Sequence, residues 1–256
     1  MSRVRALAVE LWLPVLVLAA WYAYSGANPS FYFPPLADIL SALRDNWFFD
    51  HLGSDAVPSL VNLGIGLGIA TVVGISAGVA LGLVPVLREA FSPTIEFLRS
   101  VPPVALIPMA IVLLGIGSTE KIALIAFGTL WPILLNTQDG VRGVDPMVRD
   151  FATAYRLRRR DFLLRVVLPA ASPQIVVGLR IALALGVSLI AFSEMIAATE
   201  GIGFFTLQAL RSFSVTDMWS GMVFLGLLGY VLNVLFRVFE RQVLSWHVKM
   251  HDTSGA

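Results

Sequence analysis

A chain of 256 residues that is 57% hydrophobic and 14% charged, with a mean hydropathy of +0.80, carries more apolar surface than a soluble domain of that size can bury. The net charge of +1 gives no global field for nucleic acid, and the absence of Cys excludes disulfides, thiolate metal sites and thiol nucleophiles. His51, His247 and His251 show no metal-ligand spacing, and no G-x-x-x-x-G-K-[ST] phosphate loop occurs, so nucleotide chemistry would have to reside on another chain.

A helical crossing of the bilayer needs about 20 mostly apolar residues. Six candidates follow one another along the chain. The first, Leu7 to Tyr24, comes after Arg3 and Arg5 as a signal peptide would. Its length, Glu10 and the lack of a small-x-small cleavage site mark it as a retained span. Next, Phe31 to Trp47 holds Pro34 and Pro35 and then an amphipathic stretch, Ala37 to Leu43, expected to lie along the outer interface. The second span, Leu60 to Leu83, carries Gly64, Gly68, Gly74, Gly78 and Gly82, a face suited to close helix approach, whether static or moving. The third (Val104 to Ile116) and fourth (Ile122 to Thr137) are short and separated by a turn at Gly115, Gly117, Ser118 and Glu120. Pro108 and Pro132 inside them permit kinks. The fifth runs from Pro173 to Ile196, a short outer helix is expected within Gly201 to Phe213, and the sixth runs from Trp219 to Phe239.

Lys and Arg concentrate on one side. Arg3 and Arg5, Arg88 and Arg99, Arg237, Arg241 and Lys249, and above all the connection between the fourth and fifth spans lie there; Arg44, Lys121 and Arg211 lie on the other. Both termini and the long basic loop are therefore expected in the cytoplasm, which an even number of spans satisfies.

That loop contains Arg142, Arg149, Arg156, Arg158, Arg159, Arg160 and Arg165. Retention in the cytoplasm explains its charge, but not its other feature. Phe151, Ala154 and Tyr155 share one helical face, a knob of small and aromatic side chains that can enter a groove on another protein. Pro169 is expected to stop this helix before the fifth span.

The segment Asp150 to Pro169 resembles the loop signature of binding-protein-dependent ABC importer permeases: E-A-A, three residues, G, nine residues, I, one residue, L-P. Asp150 stands at the Glu position, Phe151 and Ala152 at the two Ala positions, Val166 at the Ile position, and Leu168-Pro169 match directly. Arg156 occupies the Gly position, where the family makes a tight turn; it meets that turn only with a negative φ or with strain. Further similarity to the nitrate, taurine and alkanesulfonate branch lies in Arg99 to Pro108, Lys121 to Leu124, Phe127 to Ile133, Asn136-Thr137, Gly178 to Leu183, Glu194 to Ala198 and Gly201 to Phe204.

The resemblance implies an all-α membrane protein of about six helices with the type I ABC importer permease fold. It divides the chain into an N-terminal helix and outer linker (1–30), a permease core (31–250) with a coupling loop (138–171), and a disordered tail (251–256). It implies two ATPase subunits carrying ATP and Mg²⁺, a second permease copy, an extracytoplasmic substrate-binding protein, and no cofactor on this chain. Coupling to the ATPases falls on Asp150, Phe151, Ala152, Thr153, Ala154, Tyr155, Arg156 and Leu157. For the pathway, Glu194 either lines an outer gate or is an interfacial group paired with a base such as Arg211. Ser188, Ser193, Thr199, Asn136 and Thr137 are pathway groups or interhelical hydrogen-bonders, and Arg180 is an anion site or a snorkelling anchor. A secondary transporter lacks support, because no intramembrane ionisable relay or repeat is visible. An intramembrane enzyme lacks a dyad or metal cluster, and an inert scaffold leaves the loop unexplained.

Overall fold

The computed structural model describes residues 3–27 and 30–244, and they are almost wholly helical. The expected tail lies outside them. In chain order the helices are α1 (Arg3–Ala27), α2 (Leu36–Asp45), α3 (Val57–Leu83), α4 (Pro85–Ser100), α5 (Ile107–Leu114), α6 (Ser118–Arg142), α7 (Pro146–Ala154), α8 (Arg159–Phe162), α9 (Leu168–Ala197), α10 (Ile202–Arg211) and α11 (Val215–Val243). Short π-helical stretches join α2 to α3 and α8 to α9, and a 3₁₀ turn, Pro103–Leu106, precedes α5.

Proline and glycine set most boundaries. Val84 is extended (φ −113°, ψ 99°) because Pro85 follows, so α3 stops and α4 starts with Pro85 in its first turn. Pro102 and Pro103 end α4 in the same way. Gly115 (φ +78°) and Gly117 (φ +151°) turn the chain between α5 and α6. Among the described residues four stretches are long and apolar enough to cross a bilayer: Leu52–Leu83, Ser118–Arg142, Arg159–Ile196 and Val215–Val243. The pair Pro85–Ser100 and Pro103–Leu114, bent by 79°, makes a fifth if it counts as one broken span. α1 contributes the shorter apolar helix Val15–Ala27.

Three expectations change. The predicted third span is no free-standing crossing: Pro103–Leu114 reaches only about 18 Å at 1.5 Å per residue, against a hydrocarbon core of about 30 Å. Pro108 sits in the first turn of α5, where it removes no intrahelical bond. Pro169 lies in the first turn of α9 and starts that helix instead of stopping one.

Three long helices form the core. α3 and α6 run parallel: ideal Cβ positions on Gly66, Gly74 and Gly82 fall 2.7–2.9 Å from Ile125, Ile133 and Val141, so steps of eight match on both helices. Gly78 sits closest, 2.6 Å from the Leu134 carbonyl oxygen by the same measure. α9 runs antiparallel on the other side of α6, with Gly140 against Ala171, Gly178 against Pro132 and Asn136, and Gly128 against Leu189. The close-packed stripe of α3 is thus Gly66-Gly74-Gly78-Gly82, whereas the predicted members Gly64 and Gly68 face open space. Gly66 is the member that spacing by four from Gly64 concealed.

Candidate functional site

The signature loop folds as α7, a sharp turn and α8. Asp145 Oδ1 accepts the N–H of Met147 at 2.8 Å, and Pro146 opens the helix. Ala152 is the buried contact of α7, while Met147, Phe151, Ala154 and Tyr155 face outward, Phe151 at 55% and Tyr155 at 78% exposure. Thr153 is on α7, its side chain outside those described. Arg156 has φ +52°, so the departure from Gly is met by a left-handed arginine. The N–H of Leu157 donates to the Ala152 carbonyl at 3.0 Å, the long bond of a Schellman-type cap. Leu157 and Arg156 are exposed, as is Asp150. Below the turn, Phe162, Leu163 and Val167 pack with Val141, Ala171 and Ile175, which seats the loop on the ends of α3, α6 and α9.

The predicted pathway residues divide into two groups. Arg180 and Ser188 line a groove of about 650 Å³ between α9 and α11, with Ile181, Ala184, Gly229 and Asn233. Arg180 donates to Glu240 Oε2 on α11, a partner that sequence spacing could not reveal at a separation of 60 residues. Ser188 also donates to the Ala184 carbonyl of its own helix at 3.3 Å. Glu194 and Ser193 do not open onto this groove. Ser193 is fully buried and donates to Glu120 Oε1 at 3.0 Å; Glu194, 1% exposed, accepts from Ser59 Oγ at 2.6 Å and from the Gly203 N–H at 2.9 Å. Arg211, the partner expected for Glu194, is exposed and takes no part. Asn136, half-buried on α6, donates to the Pro132 carbonyl one turn earlier at 2.8 Å. Of the predicted pathway groups, Arg180 and Ser188 thus share the α9–α11 groove, Ser193, Glu194 and Asn136 make hydrogen bonds within the helix packing, Thr137 is fully buried and Thr199 is exposed.

An exposed knob on a rigid seat, at the basic end of a parallel–antiparallel helix core, matches a profile described as "Binding-protein-dependent transport system inner membrane component" over residues 70–245. The chain belongs to this family. It is 32% identical over 251 residues to the taurine transport system permease protein TauC of Escherichia coli (strain K12), which covers 95% of this chain and 91% of that protein. It is 33% identical over 204 residues to the bicarbonate transport system permease protein CmpB of Synechococcus elongatus (strain ATCC 33912 / PCC 7942 / FACHB-805), covering 77% and 73%. A solved structure of inward-facing conformations of the MetNI methionine ABC transporter superposes with a TM-score of 0.63 at 21% identity, over 74% of this chain and 94% of that one, a likeness of fold.

The permease is thus a membrane subunit of an ABC importer. Its chemistry is mechanical, and the relevant features are contact surfaces and the stiffness of what carries them. Reasoning from sequence missed Asp55, Ser59 and Asn233, whose neighbours on α9, α10 and the α9–α11 groove are distant in the chain. A signal for the first two existed in Asp55-Ala-Val-Pro-Ser59, the polar residues that open α3, but it reads as an ordinary helix start.

Proposed function

We propose that this permease is moved by two separate ATPase subunits docked at α7, and that a substrate-binding protein delivers a small anion at the opposite, α10 end. ATP and Mg²⁺ then belong to the ATPases, and this chain binds no cofactor. The observation that carries the reading is the outward face of α7, where Phe151 and Tyr155 stand exposed on a helix capped at both ends, with the segment that follows it, Phe162 to Val167, packed on the core. Large aromatic side chains left open on a short rigid helix are the pattern of a helix-in-groove contact. A push on such a helix would pass through the turn and α8 to the cluster that Phe162, Leu163 and Val167 make with α3, α6 and α9, and so move them as a rigid body. The basic residues Arg156, Arg158, Arg159 and Arg160 beside α7 support a cytoplasmic position for this end.

The named relatives carry taurine and bicarbonate, and others in the group carry nitrate and aliphatic sulfonates; the cargo proposed here is of that class, a small solute with a compact anionic group. The α9–α11 groove is the best supported stretch of pathway. Ser188, Asn233 and the Arg180–Glu240 pair give it polar groups within helices of membrane length, and such groups avoid lipid by facing water or a second subunit. Two copies of the permease facing one another across these grooves would enclose a pathway. The groove's walls are mostly apolar, which suits passage better than retention.

The test is a pair of substitutions, Ala154→Glu and Tyr155→Glu. The double variant is expected to insert normally, to lose uptake and to leave ATPase activity unresponsive to the binding protein, because two buried carboxylates without partners cost several kcal/mol at a protein contact. Uptake at the unmodified rate would defeat the assignment of α7 as the docking surface.

A further inference from the structure

The first turn of α10 has no side-chain cap of its own, yet three of its N–H groups find acceptors on other helices. A helix leaves its first four N–H groups without intrahelical partners. Here the Gly201 N–H donates to Asp55 Oδ1 at 2.8 Å, the Ile202 N–H to Ser59 Oγ at 3.2 Å, and the Gly203 N–H to Glu194 Oε2 at 2.9 Å. Three successive donors thus find three side chains on two other helical segments, all of them buried. The acceptors also hold one another: Ser59 Oγ lies 2.6 Å from Glu194 Oε1, and Asp55 is fixed by Ser54 Oγ at 2.7 Å and His51 Nδ1 at 2.8 Å. Lys121, almost fully buried, lies near enough to act electrostatically on Glu194 and reaches the Glu200 carbonyl at 3.4 Å.

The backbone is shaped to fit. Gly201 has φ +119°, and a Cβ there would fall 2.3 Å from the Glu194 carboxyl carbon; a Cβ on Gly203 would fall 2.3 Å from the Ala191 carbonyl oxygen. The carboxylate therefore occupies the space that a side chain on Gly201 would need, and the α9 backbone at Ala191 the space that one on Gly203 would need. Two acidic groups also face the positive end of the α10 dipole. Opening this contact would leave three N–H groups and two buried carboxylates without their partners, a cost that favours the closed arrangement.

We propose that Asp55, Ser59 and Glu194 form a three-point clasp that fuses α10 to the start of α3 and the end of α9, so that contact of the binding protein on α10 moves α9 directly. The second half of this rests on the importer reading; the clasp itself does not. Glu194 is here a positioning residue, and a neutral amide can do its work: a Gln oxygen accepts from Gly203 while its amide donates to Ser59.

The chain has no Cys, so a single Ile202→Cys, at a site now 1% exposed, reports whether the clasp is closed. Labelling by a membrane-impermeant maleimide is read on the permease alone in membranes and needs no partner. Glu194→Ala, which removes the hydrogen bonds to both Ser59 and Gly203, is expected to speed labelling by at least about tenfold, and Glu194→Gln to leave it within about twofold. In the assembled importer, Glu194→Ala should abolish stimulation of ATPase by the binding protein while basal ATPase persists, and Glu194→Gln should retain it. Should Glu194→Ala fail to insert, Ser59→Ala removes one tether and no charge, and is read the same way with a smaller effect. Unchanged labelling in Glu194→Ala and Ser59→Ala would overturn the clasp. Faster labelling with intact stimulation would overturn its coupling role, and a Gln variant that stays protected yet loses stimulation would show that Glu194 acts through its charge.

Discussion

Arg156 holds a left-handed conformation that costs an L-residue about 1–2 kcal/mol relative to its preferred regions. The turn survives because the Leu157-to-Ala152 bond and the seat beneath α8 over-determine it. Arg156→Gly should therefore raise stability by about 1 kcal/mol, seen as a higher thermal midpoint in detergent, with uptake unimpaired. A lower midpoint would mean that the arginine side chain supplies a contact worth more than the backbone strain. Phe213 is the other non-glycine residue in this region (φ +59°), again at a helix end, where the Ser214 N–H reaches back to the Ala209 carbonyl at 2.9 Å. Both are C-terminal caps built without glycine, and both put a side chain outward at a sharp reversal.

At the scale of helices, the α3–α6 contact is set by which glycines meet a neighbour. Gly78 has no room for a Cβ beside the Leu134 carbonyl and Thr137, whereas Gly64 has nothing within 4 Å. Gly78→Leu should force the helices apart, cost about 1–3 kcal/mol and lower the yield of folded protein on size-exclusion chromatography. Gly64→Leu should fold as well as the parent; an equal defect from both would mean that the Gly64 face is packed against a second subunit. α4 shows a different lesson. Arg88, Glu89, Glu96 and Arg99 make it read as a polar connection, but Phe91, Ile95 and Leu98 are spaced for a helix, and only Ile95 and Leu98 turn toward the protein. Its partner α5 is too short to cross alone, so the two depend on each other at the Pro102-Pro103 bend.

The whole molecule has two chemically different ends. At one end Trp21, Phe33, Tyr24 and Trp219 cluster with ring centroids 5.4–6.2 Å apart, and Trp219 Nε1 donates to the Tyr32 carbonyl at 3.2 Å. Amphipathic aromatics of this kind sit at a membrane–water interface. At the other end stand α7 and the arginines. In the cysteine-free chain, Tyr32→Cys and Tyr155→Cys should label from opposite sides of the membrane, the first in intact cells and the second only after permeabilisation. Labelling of Tyr155→Cys in intact cells would reverse the orientation and with it the direction of coupling.

The sequence by itself determined the solvent, the helical class, the basic loop and its exposed Phe151-Ala154-Tyr155 face, because hydropathy, charge asymmetry and helical period are local properties that no later packing can undo. It also placed α2 and α10 to within a few residues, since amphipathicity and flanking Pro or Gly are written in place. Only the tertiary structure decided which glycines touch, that Pro103–Leu114 bends away from α4 and packs on α6, and that Glu194 closes on Ser59 and Gly203. Those outcomes turn on pairs such as Ser59 with Glu194 and Arg180 with Glu240, where the free energy lies in removing both groups from water together. A single residue's chemistry says that it needs a partner; only the fold says which partner arrives.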